Sequence, residues 1–140
     1  MKPSEIIATK ANEQAQTVFE QGRIALQNGD HPLAIQKFEA ALAIYPQNFD
    51  ATHFLGIALA QMGQPQRAVS YFKQSLKLLP NSISAHNNLG LALDDLQDYE
   101  AAIASFDRAL ALSPDYEQAK LNRNNSVRRA AQSTTPSPEA

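Results

Sequence analysis

The chain has 140 residues, 44 % of them hydrophobic, with 12 basic and 14 acidic side chains, a formal net charge of -2, and no cysteine. That apolar content excludes wholesale disorder, and the near balance of charge excludes a global field that would draw in nucleic acid or an anionic membrane. The missing cysteine removes disulfide frameworks, thiol catalysis and thiolate metal sites together.

The amino terminus, MKPSEIIATKANEQ, lacks the continuous apolar core of a signal peptide. No later window approaches the roughly 18 apolar residues of a membrane span, so a cytoplasmic protein without membrane insertion is expected. Residues 1–14 are read as an N-terminal extension, partly helical, that prolongs the first helix upstream.

From Ala15 a 34-residue period takes over, with Gly22, Gly56 and Gly90 as its clearest column. Four further columns keep the same register: Ala34, Ala68 and Ala102; Phe38, Phe72 and Phe106; Leu42, Leu76 and Leu110; Pro46, Pro80 and Pro114. Each unit contains a break, NGDHP at 28–32, MGQPQ at 62–66 and LQDYE at 96–100, so each is two helices and a turn. Apolar residues at helical spacing, such as Ile103, Phe106 and Leu110, make the second helix amphipathic.

The punctuation agrees. Asp30 and Asp98 are placed to cap second helices, and Pro32 and Pro65 fall in a first turn, where a missing N–H does no harm. The closing prolines end the second helices, and Asn48, Ser82 and Asp115 are expected to cap the next first helices. A glycine within a helix costs about 1 kcal/mol relative to alanine. Gly90 is therefore expected to face Ala102, two small residues that let the paired helices approach closely.

A 34-residue helix–turn–helix unit carrying Leu55-Gly56 and Leu89-Gly90, and closing on ALAIYP (41–46), SLKLLP (75–80) and ALALSP (109–114), resembles the tetratricopeptide repeat. The repeats are 15–48, 49–82 and 83–116, followed by a C-terminal capping helix over 117–131 and a disordered Pro/Ser/Thr tail over 132–140. Two departures stand out: the large aromatic expected early in the first helix is Val18, Thr52 and His86, and Gln21 replaces the leucine before Gly22. In the last helix Asn124 occupies the glycine column, consistent with a helix that meets water. The fold implied is all-α, a right-handed superhelix of three helix–turn–helix repeats plus the cap.

No catalytic constellation is present. A zinc site among His31, His53 and His86 would need carboxylate ligands, the cluster Asp94, Asp95, Asp98 and Glu100 reads as a solvated helix end, and neither GDHP nor GQPQ is a phosphate-binding loop. No metal, no cofactor and no enzymatic activity are expected.

The resemblance implies a concave groove lined by the first helices. In the first two repeats it gives Phe19, Arg23, His53, Phe54 and Ile57, and further along Asn87, Asn88, Leu91 and Asn122. Apolar side chains would fill pockets while amides such as Asn87 and Asn88 bond the main chain of a peptide or helical segment. The lysine, asparagine and arginine clamp that grips a terminal carboxylate in chaperone-binding relatives is mostly replaced, by Phe19, Arg23, Phe54, Ser84 and Asn88. An asparagine ladder like that of O-linked N-acetylglucosamine transferases is partial, with Asn88 and Asn122 but also Glu20 and Phe54. The reading is a non-enzymatic scaffold or adaptor for a protein or peptide partner. The alternatives are a region of a larger glycosyl-, methyl- or sulfotransferase, or a self-assembling scaffold that forms homo-oligomers.

Overall fold

A computed structural model describes residues 1–134, and the described residues are α-helices joined by short turns, with no strand among them. The chain divides into two compact units, Met1–Pro80 and Asn81–Ala140, each described by itself.

The first unit holds α1 (Pro3–Gln27), α2 (His31–Ile44), α3 (Phe49–Gln61) and α4 (Pro65–Leu78). α1 pairs with α2 and α3 with α4 as antiparallel hairpins, and α3 seats on α2. α1 is one continuous helix of 25 residues from Pro3, against 13 for α3, so the N-terminal extension is helical along most of its length. One side chain ties the extension down. The Asn48 carboxamide caps α3 through Ala51 N–H (2.8 Å) and donates to Asn12 Oδ1 (3.2 Å) and Gln16 Oε1 (3.1 Å) on α1.

The second unit holds α5 (Ile83–Asp95), α6 (Tyr99–Leu112) and α7 (Glu117–Ser133), with α5 paired to α6 and α7 seated on α6. Ser82 caps α5 through Ala85 N–H, and Asp98 caps α6 through Ala101 N–H. The third expected first-helix cap differs: the N-cap of α7 is Tyr116, with no side-chain cap, leaving Asp115 one residue before the cap. At its other end α7 carries on through Gln132 and Ser133, past the residue where the tail was expected to begin. The rest of that expected tail, 135–140, lies outside the described residues.

The glycine column does permit close approach, but its partner is not the alanine column. A Cβ built on Gly90 would stand 2.5 Å from Cε1 and 2.7 Å from Cδ1 of Phe106, and Gly22 and Gly56 meet Phe38 and Phe72 in the same way. All three rings are at most 1 % exposed, so none can swing aside into solvent. The reason is the geometry of an antiparallel hairpin, which reflects one helix onto the other about its turn. Residues 90 and 106 are equidistant from Asp98, as are 56 and 72 from Gln64 and 22 and 38 from Asp30, and these three are the N-caps of α6, α4 and α2. Residues 90 and 102 would reflect about Leu96, the C-cap of α5, before the turn is complete.

The turns follow one plan. Gly29 and Gly63 adopt φ of 79° and 75°, and the equivalent Gln97 is forced to 63° without being a glycine. The bonds around it close the helix end: Gln97 N–H donates to Asp94 C=O and Asp98 N–H to Leu93 C=O, both at 2.9 Å. A Cβ on Gly29 or Gly63 would meet nothing within 4 Å, so the preference for glycine in this column is conformational rather than steric.

Two outcomes follow for stability. Gly90→Ala should cost roughly 1–3 kcal/mol by overpacking despite its better helix propensity, and a thermal melt with Gly90→Ala above the parent would contradict the seat on Phe106. Gln97→Gly should gain about 1 kcal/mol by removing the left-handed penalty on a residue with a Cβ, read as a higher urea midpoint.

Candidate functional site

In the first unit, the residues expected to line a groove lie on α1 and α3. Phe19 is 3 % exposed, with its ring centroid 5.7 Å from Phe38 and 5.2 Å, edge-on, from Phe54. His53 is 5 % exposed and sits among Phe49 (5.3 Å), Phe54 (5.9 Å) and Phe72 (5.7 Å). These rings join α1, α2, α3 and α4, and such pairs contribute about 0.5–1.5 kcal/mol each beyond their burial. Phe19 and His53 are therefore core side chains. Arg23, Phe54 and Ile57 are half-buried and keep some surface.

The charges on this face are already engaged. Arg23 Nε donates to Glu20 Oε2 at 2.8 Å, and Asp50 Oδ2 accepts from Gln16 Nε2 at 3.2 Å. Burial holds the His53 imidazole below its ordinary pKa of 6.5, opposed by the Asp50 carboxylate.

In the second unit, Asn87 and Asn122 are buried and bonded to each other, Asn122 Nδ2 donating to Asn87 Oδ1 at 3.0 Å, and Gln118 Nε2 donates to Asn122 Oδ1 at 3.2 Å. The Asn87 carbonyl expected to serve a ligand already accepts a bond within the protein. Asn88 is half-buried and Leu91 is 40 % exposed. Below them Asp94 accepts from Ser126 Oγ (2.7 Å) and Arg129 Nη1 (2.5 Å). The neighbouring Asp95 carboxyl is raised from its ordinary pKa by partial burial and then by Asp94, with Arg129 opposing.

A rule emerges that the sequence reading missed. The fifth residue of one first helix meets the sixth of the next, 35 positions on: Phe19 with Phe54 by ring stacking, Asn87 with Asn122 by an amide bond. The signal was present as chemically matched pairs at that interval, one residue longer than the period. Of the nine expected residues, Arg23, Phe54, Ile57, Asn88 and Leu91 retain surface, whereas Phe19, His53, Asn87 and Asn122 hold helices together.

Among the described residues no three His, Asp or Glu side chains come together as metal ligands, and no helix is long and apolar enough to cross a membrane.

Two family models, both described as tetratricopeptide repeat, match residues 13–81 and 55–117. No curated protein matches the sequence. Among solved structures, the first TPR of Spaghetti (RPAP3) bound to the HSP90 peptide SRMEEVD aligns with a TM-score of 0.84 at 21 % identity, over 86 % of this chain and 95 % of that one. The Sgt2 TPR domain from Aspergillus fumigatus aligns at 0.81 and 20 % identity, over 91 % and 88 %. An O-GlcNAc transferase mutant of Thermobaculum terrenum aligns at 0.78 and 26 % identity, over 84 % of this chain but 22 % of that one.

The buried imidazole sets a pH dependence. Because its folded pKa is depressed, the unfolded chain takes up the proton first as pH falls, so the stability His53 contributes is present above about 6.5 and lost toward its folded pKa. Urea midpoints between pH 7.5 and 5.5 should fall for the parent by more than for His53→Gln, with a slope from this one group of up to about 1.4 kcal/mol per pH unit. Parallel profiles would show that His53 titrates as an exposed histidine.

Proposed function

We propose that this chain, which belongs to the tetratricopeptide repeat family, is a non-enzymatic cytoplasmic scaffold whose first-helix face holds an apolar segment of a partner protein. The observation that carries the reading is the division of labour on α1 and α3 of the first unit. Phe54 and Ile57 keep apolar surface while the adjacent Phe19 and His53 are locked into the fold. A segment lying against these helices would find apolar contacts, with little uncommitted charge to attract a terminal carboxylate, since Arg23 is paired with Glu20. That supports an internal, largely apolar segment as ligand. The HSP90 peptide SRMEEVD bound to the RPAP3 repeat is acidic, so it supports peptide capture as the class of function and not the apolar chemistry proposed for this ligand.

A second reading is favoured by the Thermobaculum terrenum transferase, in which a region similar to this chain makes up about a fifth of an enzyme. In that reading the repeats present a substrate protein to a catalytic region outside these residues. Reading frame continuing from these repeats into a catalytic domain in the source gene would support it.

Ile57→Glu places a charge on an accessible apolar position of α3 and leaves the buried side chains untouched. Affinity capture from the source lysate with parent and variant, followed by mass spectrometry, should give a partner present with the parent and at least tenfold depleted with the variant, while circular dichroism stays unchanged. Identical captured sets from a folded variant would place the binding surface elsewhere.

A further inference from the structure

α7 occupies on α6 the position that α3 occupies on α2, yet the two helices fill it with different chemistry. α3 presents Ala51, Leu55 and Ala58, all 0 % exposed, and α5 buries the equivalent Ala85, Leu89 and Ala92. The same columns in α7 hold Ala119, Arg123 and Ser126. An alanine, a leucine four residues further on and an alanine three beyond it have become alanine, arginine and serine. Across its 17 residues α7 buries only Ala119, Asn122 and Ser126, so no large apolar side chain anchors it.

What holds α7 instead is polar: Asn122 to Asn87, Ser126 and Arg129 to Asp94, and Arg123 to Asp107. The Arg123–Asp107 pair is 38 % and 52 % exposed, so salt and water compete for it, and Arg129 is 47 % exposed although its partner Asp94 is only 10 % exposed. A helix seated by such contacts opens at lower free energy than helices seated by buried leucines. The α2 surface that α3 covers takes a small–x3–Leu–x2–small helix, and α6, which α7 covers, is the repeat counterpart of α2.

We propose that α7 is a displaceable occupant of a helix-docking slot on α5 and α6, and that the slot's ligand is an amphipathic helix of a partner protein presenting alanine, leucine and alanine in the register of residues 51, 55 and 58. This surface is distinct from the first-helix face, and neither reading depends on the other. Binding is exchange: α7 leaves as the ligand arrives, so the ligand is read both by its own affinity and by deprotection of α7.

The probe is a synthetic peptide of residues 48–62, which carries the α3 register, with a Leu55→Arg and Ala58→Ser version of it as control. In the full chain, hydrogen exchange of 117–133 should run ahead of 83–112, and added peptide should accelerate it further, while the control peptide does neither. Arg123→Leu with Ser126→Ala, which gives α7 the α3 pattern, should raise the melting temperature, slow α7 exchange at least tenfold and weaken peptide binding at least tenfold. The proposal is overturned by any of three results: α7 exchanging no faster than α5 and α6, peptide binding unchanged by the double substitution, or a double variant less stable than the parent.

Discussion

Each hairpin of this protein depends on a phenylalanine ring packed close against the partner helix at a glycine. The ring needs a facing residue with no side chain, and the chain supplies Gly22, Gly56 and Gly90 at the cost of helix propensity. What offsets that cost is the complete burial of Phe38, Phe72 and Phe106, each worth on the order of 1.5–3 kcal/mol. The seat also sets the distance between the paired helices, which fixes where the remaining side chains of the first helix point. A methyl group at the glycine would move the whole pair rather than one atom, because interiors are packed too densely to yield locally.

Much of this is legible in the sequence because the repeat turns a single weak signal into three aligned ones. The period, the turns and the caps at Asp30, Asn48, Ser82 and Asp98 are local chemistry and read directly. The partner of the glycine is not local. Pairing small with small points to Ala102, whereas reflection about the turn leads to Phe106, and that requires knowing which residue is the turning point. Gln97 escaped notice for a related reason: its strain shows only once Gly29 and Gly63 are recognised as one conformational column.

The candidate face was legible in outline and not in detail. Position numbers alone treat the fifth and sixth residues of the first helix as equal lining. The 35-residue offset between Phe19 and Phe54, and between Asn87 and Asn122, makes the fifth a rung to the next first helix, while at the sixth Phe54 and Asn88 stay half-buried and Asn122 is buried. The first helices differ in the same columns: where α3 buries Ala51 and Leu55, α1 exposes Thr17 and Gln21, and α7 places Arg123 in the leucine column.

The glycine seat is tested most directly by a double-mutant cycle in the central hairpin, Gly56→Ala and Phe72→Leu, with stability read from urea unfolding. If the ring against the backbone sets the helix spacing, Gly56→Ala should be markedly less costly once Phe72 is trimmed, with a coupling of about 1 kcal/mol or more. Additive effects within about 0.3–0.5 kcal/mol would mean that the two residues do not constrain each other, and that the glycine column serves some purpose other than seating the ring.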